Sequence, residues 1–320
     1  MVKKQHYVPR FYLKYFANED KVDYYDKVLE KNLSNMHVDN VAQQKYFYDF
    51  SEEFLESQQK VANGSVDSRF FDKQFLEEHF SVLESQFARC FREINEKLND
   101  QTNLLNCSLR EILDEEDRID LVFFIALQSI RVPAFRELSE NFSDMLAENI
   151  PDFAEVKMDD NEKLLMHLAS GILNRVGYYL LSDRFDWFLG VVEEFEEMES
   201  KVVVMDELVI SDNPVVNIKH ASGKTMQSFN EFCLPISPKH LLILREKNFP
   251  YENPDNSIFK LSRNDLRFYN EYQMRFSTRK VIYCNKTNAK KVKSFFKTLP
   301  RELSHNSGSI GVNEYEKYCA

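Results

Sequence analysis

The sequence predicts an α+β fold: a mixed sheet built from N- and C-terminal segments, with a mainly helical middle at about residues 67–199. Strand-like runs are confined to the first fifty residues and to the chain after Ser200, while apolar residues spaced by three and four fill the stretch between. The composition is that of an ordered globule. Of the 320 residues, 43% are hydrophobic, 13% aromatic and 29% charged, with only 7 Gly and 9 Pro, which excludes a disordered tail, a collagen and a disulfide miniature. That length suits one compact domain over 1–320, with 67–199 as a helical insertion or subdomain.

Taken in order, Val22-Asp23-Tyr24-Tyr25 alternates as a strand and Lys45 to Phe50 is rich in strand-favouring aromatics. Phe71, Phe75, Leu76, Phe80, Leu83, Phe87, Phe91 and Ile94 then mark an amphipathic helix that ends near Asn99-Asp100. A second long helix starts at an N-cap on Ser108, with Glu111 as capping-box partner, or restarts at Asp117, and runs to Arg131. Its centre, Leu121 to Leu127, is apolar all round, so it should be the most buried helix; Pro133 kinks or breaks it. Helices are expected at 134–149 and, with a break near Asp183, at 160–199. Strands follow at Lys201–Met205, Leu208–Ser211, Val215–Ile218, Phe232–Ile236, His240–Leu244 and Lys280–Cys284, and a last helix at 287–298.

The five cysteines are widely separated and form no Cys-x-x-Cys pair, so they are expected to be buried small apolars in a reducing cytoplasm. The N-terminus lacks the apolar run of a secretory signal, and no stretch of membrane-spanning length is apolar throughout. There is no Gly-rich phosphate loop, no His-Glu-x-x-His, no Gly-x-Ser-x-Gly and no Asp-x-Asp. Nucleotide-triphosphate hydrolases, zincins and α/β-hydrolases are therefore disfavoured, and neither a cofactor nor a metal is expected.

The segment Gln5-His6-Tyr7-Val8-Pro9-Arg10-Phe11-Tyr12-Leu13 is unusually specific. So are Gln128-Ser-Ile-Arg131-Val-Pro133, Ser211-Asp212-Asn213-Pro214-Val215 and Leu234-Pro-Ile-Ser-Pro238, with a weaker pattern from Asn270 to Tyr283. Together they resemble the bacterial and phage family known as domain of unknown function 4238, over residues 3 to about 285. The resemblance implies a single α+β domain and marks those positions and, on the first long helix, Glu84, but it carries no activity.

Read from chemistry, Pro9 suits the first turn of a helix and leaves Gln5 and His6 on an extended lead, where His6 can face a cleft as general acid or base. Arg10 follows one turn later with a guanidinium suited to phosphate. Gln128 and Arg131 share a face of the most apolar helix, so Arg131 needs a partner or a ligand. Asp212 and Asn213 sit at a strand end, where Asp212 could act with His6 or merely shape a turn. His6 and Asp212 are thus the candidate catalytic residues; Gln5, Arg10, Gln128, Arg131, Asn213 and Arg279 are the candidate ligand-binding residues. Each has a plain structural alternative, in which it ties the terminus, the helix or the turn to the core.

The formal net charge is −11, which argues against a general nucleic-acid coat. It is segregated, however: residues 1–16 and 273–301 carry basic but no acidic side chains, Arg279 among them. A basic face on an acidic body suits RNA or another phosphate-bearing ligand. Two functions remain open: a metal-independent phosphodiesterase or ribonuclease-like enzyme, in phage defence or as a toxin, and a non-enzymatic sensor or interaction protein holding a phosphorylated ligand or an acidic partner.

Overall fold

The N-terminal motif opens as strand β1 (Lys4–His6), which pairs antiparallel with β4 (Gln43–Lys45) and leads through Pro9 into helix α1 (Arg10–Lys14). In the computed structural model, residues 2–62, 72–101, 103–149, 158–193, 205–221, 228–247, 253–298 and 312–313 are described. Proline fixes φ at the value a helix start needs and lacks an N–H that would go unpaired there. Behind α1, Tyr12, Leu13 and Phe16 are wholly buried. Tyr12 packs on Phe91 and Phe124 at ring distances of 5.6 Å and donates its hydroxyl to the Pro235 carbonyl at 2.6 Å.

An early and a late stretch of the chain meet in one antiparallel sheet of order β3-β2-β11-β6, formed by β2 (Lys21–Asp26), β3 (Lys31–His37), β6 (Ile210–Ser211) and β11 (Lys280–Tyr283). A second, mixed sheet has the order β10-β5-β9-β8-β7-β12. Its strands are β5 (Phe185–Val191), β7 (Val216–Ala221), β8 (Ser228–Ser237), β9 (His240–Glu246), β10 (Ile258–Lys260) and the short β12 (Val312–Asn313). Its outer pairs, β10 with β5 and β12 with β7, are the parallel ones. Between the sheets in sequence lie α2 (Glu52–Ala62), α3 (Phe75–Asp100), α4 (Leu109–Ile112), α5 (Glu115–Ile130), α6 (Pro133–Asn149), α7 (Asp160–Ala169) and α8 (Ile172–Leu181). Helices α9 (Arg263–Phe276) and α10 (Asn288–Thr298) cover the C-terminal part. The α+β class and its helical middle are as the apolar spacing implies.

Three local expectations change. Ser108 caps only the short α4, accepting from the Arg110 N–H, and the restart comes three residues before Asp117, at Asp114, which caps α5 in a reciprocal box with Asp117. The break expected near Asp183 is there, with helix ending at Leu181, but the chain after it, Phe185–Val191, is a strand and not more helix. Buried on nearly every residue, its apolar run lacks the alternation that would separate it from a buried helix. The aromatic stretch after Lys45 is a turn with Tyr46 at φ 55°, which sends Phe47, Tyr48 and Phe50 into the core. The strand expected at 201–205 falls, up to residue 204, outside the described residues.

A candidate acid–base pocket at the N-terminal motif

The extended lead is anchored from both sides. Gln5 is fully buried, donating to Asp49 Oδ1 at 2.6 Å and accepting the Tyr48 backbone N–H at 2.6 Å. Gln128, from the apolar helix α5, donates to the Tyr7 carbonyl at 2.8 Å. With its two neighbours fixed, His6 is held at the wall of a cavity of about 410 Å³ lined by Val2, Lys4, His6, Arg10, Asp39, Glu77, Ser81 and Glu84. Glu77, Ser81 and Glu84 come from one face of α3, at i, i+4 and i+7.

His6 Nε2 faces the Val38 carbonyl at 3.3 Å. A carbonyl only accepts, so Nε2 carries the ring proton and Nδ1 keeps the lone pair. Burial, assisted by the positive charges of Arg10 and Arg131, lowers the imidazole pKa to about 4, against the contrary pull of the Val38 hydrogen bond and Asp39. Glu77 moves the other way. Burial and the charges of Glu84 and Asp49 raise its carboxyl to about 7, despite Arg131 and Arg10. At pH 6 the pocket's lining therefore includes a neutral imidazole and a largely protonated carboxylic acid, the reverse of what the two groups do in water.

Arg131 stands behind this pair. Its side chain is 1% exposed, forms an ion pair with Glu84 at 2.7 Å, donates to the His6 carbonyl at 2.5 Å and reaches the Tyr48 hydroxyl at 3.3 Å. One guanidinium thus ties the backbone of the imidazole residue to a carboxylate of the opposite wall. Arg10 differs: its pair with Asp39 at 3.1 Å is largely exposed, 61% and 47% for the two side chains. Such a pair contributes about 0–1 kcal/mol, so Arg10 can exchange Asp39 for an incoming anion at small cost.

The structure separates the predicted residues into two groups. His6 and Arg10 line the cavity, with Arg131 directly behind it and Gln5 and Gln128 holding the lead in place. Asp212, Asn213 and Arg279 lie instead where β6 meets β11. Asp212 accepts the backbone N–H groups of Thr278, Arg279 and Lys280 at 2.8–2.9 Å, so it orders that junction and is not the partner of His6. Asn213 donates to the Phe276 carbonyl at 3.3 Å, and Arg279 pairs with Asp26 at 2.8 Å. The first sixteen residues are not part of the β3-β2-β11-β6 sheet; Lys280, whose Nζ lies 3.3 Å from the Tyr7 hydroxyl, links them to it.

Glu77 was not singled out by sequence reasoning, and Glu84 only by resemblance. A signal existed: Glu77, Ser81 and Glu84 share a stripe beside the apolar one, and a stripe of that kind is ordinarily solvent-facing. Among the described residues, no cluster of three or more His, Cys, Asp and Glu side chains is placed to hold a metal ion, and no helix is long and apolar enough to cross a membrane.

A family model described as Protein of unknown function (DUF4238) matches residues 4–287, from β1 to the residue before α10. The chain belongs to that family. All the cavity side chains except Val2 fall inside the match. No curated protein and no solved structure matches the chain.

Proposed function

We propose that the cavity is the active site of a metal-independent phosphodiesterase of the ribonuclease type. Cleaving RNA through its own 2′-hydroxyl requires a base to take the 2′ proton, an acid to protonate the leaving 5′ oxygen, and cations on the phosphate. The pocket supplies each. His6 Nδ1 takes the proton as the 2′-oxygen–phosphorus bond forms, and Glu77 gives its proton to the 5′ oxygen as that bond to phosphorus breaks, leaving a 2′,3′-cyclic phosphate. Arg10 and Lys4 hold the phosphate oxygens, while Arg131 and Glu84 act as positioning residues. The observation that carries the reading is the opposite displacement of two groups that line one cavity, a histidine lowered to about 4 and a glutamate raised to about 7.

A second reading has support of its own: both arginines are already paired at rest, to Asp39 and Glu84, as suits a pocket that holds a phosphorylated ligand without turning it over. For the enzyme we propose a reducing cytoplasm, consistent with four free cysteines among the described residues, and a role in phage defence or as a toxin. The test is incubation with a short RNA in chelator. The enzyme reading predicts products with 2′,3′-cyclic phosphate ends, lost in both His6→Gln and Glu77→Gln. Tight RNA binding with no cleavage would favour the sensor.

A further inference from the structure

The basic stretch near the C-terminus takes no part in the acid–base pocket, yet it lines a larger cavity of about 650 Å³. This groove runs between α9 and α10. Each helix is already satisfied on its core side, α9 through Phe268, Tyr269 and Tyr272, and α10 through Ala289, Val292 and Phe296. The groove opens beside the second of these clusters, to which Met205, Met274 and Phe295 also belong, and its composition is mixed. Met205 and Met274 make a buried apolar floor, and Phe295 forms one wall with the Arg275 guanidinium 5.7 Å from its ring centre.

Around that floor the charge is mainly positive. Arg267, Lys290 and Lys291 line the groove with one acidic lining residue, Glu271; Lys291 pairs with Asp206 at 3.1 Å, and Glu271 also faces Arg275 at 3.9 Å. Arg267 directs Nε to Glu271 at 2.8 Å, while its terminal nitrogens have no hydrogen bond among the described residues. Lys290 is exposed and has no ion pair among them either. The volume lies in the range of small-ligand sites, roughly 300–1,000 Å³.

We propose that this groove is a second, separate binding site that takes a nucleoside monophosphate. The base lies against Phe295 and the two thioethers, a surface that accepts any base by stacking and dispersion. The phosphate meets Lys290 and the free end of Arg267. Glu271 decides between this ligand and an alkyl anion of equal charge: its carboxylate accepts from an exocyclic amine or a ribose hydroxyl, whereas an acyl or alkyl phosphate offers it no donor. The inference does not depend on the activity proposed for the His6 cavity.

The test is calorimetric titration of the full chain at low salt with AMP, adenosine, inorganic phosphate and octyl phosphate. AMP should bind with a dissociation constant below ~1 mM, with adenosine and inorganic phosphate each at least about tenfold weaker. Lys290→Glu, an exposed substitution, should weaken AMP about tenfold without moving the melting temperature. Ser294→Trp, which fills the groove from an exposed position on α10, should abolish binding. His6→Gln should leave AMP affinity unchanged, which separates this site from the acid–base pocket. The proposal is overturned by absence of AMP binding, by binding that survives both groove variants or is lost in His6→Gln, or by octyl phosphate binding as tightly as AMP.

Discussion

Replacing Arg131 by Met removes the ion pair with Glu84 at 2.7 Å, the bond to the His6 carbonyl at 2.5 Å and the contact with the Tyr48 hydroxyl at 3.3 Å. Methionine roughly fills the volume, so the cost comes from stranded partners. Breaking a buried pair costs about 3–5 kcal/mol. The lower end applies here, because the stranded Glu84 is 27% exposed and gains water. Glu84→Gln should cost at least as much, since it strands a guanidinium that is 1% exposed, even though glutamine keeps one acceptor. A loss of about 3 kcal/mol corresponds to a fall in melting temperature of roughly 4–5 °C for a chain of 320 residues. The assay is a double-mutant cycle on thermal and urea melts at pH 7. The double variant should be less destabilised than the sum of the singles by about 1–3 kcal/mol. Single losses below about 1 kcal/mol, or additivity within ~0.5 kcal/mol, would refute the view that Arg131 locks the two walls together.

Deleting residues 1–16 should prevent folding, because Tyr7, Val8, Tyr12, Leu13 and Phe16 are all buried. At ~1.5–3 kcal/mol each, five such side chains match the ~5–15 kcal/mol of a typical domain, so a soluble truncation with an unchanged cooperative melt would contradict the docking. The pocket also predicts opposed pH slopes in stability. Glu77, raised to about 7, stabilises fully below its ordinary 4.5 and loses that contribution as pH rises through 7. His6, lowered to about 4, stabilises fully above its ordinary 6.5 and loses that contribution as pH falls through 4. Melts of Glu77→Gln and His6→Gln from pH 4 to 8 should each lack one slope; curves parallel to wild type would remove the shifts.

The class of the fold was legible because each signal was local: period-two runs at the ends, three-and-four spacing in α3 and α5, and Pro9 opening α1. The strand at Phe185–Val191 was not, since burial on both faces erases alternation, and α9 has polar and charged residues mixed into a heavily buried face, including Asn270, Glu271 and Gln273. In the site, His6 and Arg10 could be chosen from their place beside Pro9, and Arg131 from its improbable setting in an apolar helix. For Asp212 the sequence leaves two roles open, because a strand end suits a catalytic carboxylate and a backbone clasp equally well, and only the fold puts the Thr278–Lys280 amides on it. For Glu77 the helix stripe was legible but not the shift, which comes from burial and from Glu84 and Asp49, neighbours gathered by folding and, for Asp49, distant in sequence.

The most direct test of the acid–base pocket is the pH dependence of kcat/KM for cleavage of a short RNA in chelator. It should be bell-shaped, with an acid limb near pH 4 where His6 becomes protonated and a basic limb near pH 7 where Glu77 loses its proton, and with its maximum between them. Residual activity in His6→Gln should lack the acid limb, and that in Glu77→Gln the basic limb. A profile that keeps both limbs in both variants, or that rises steadily above pH 8, would contradict the assignment of His6 as base and Glu77 as acid.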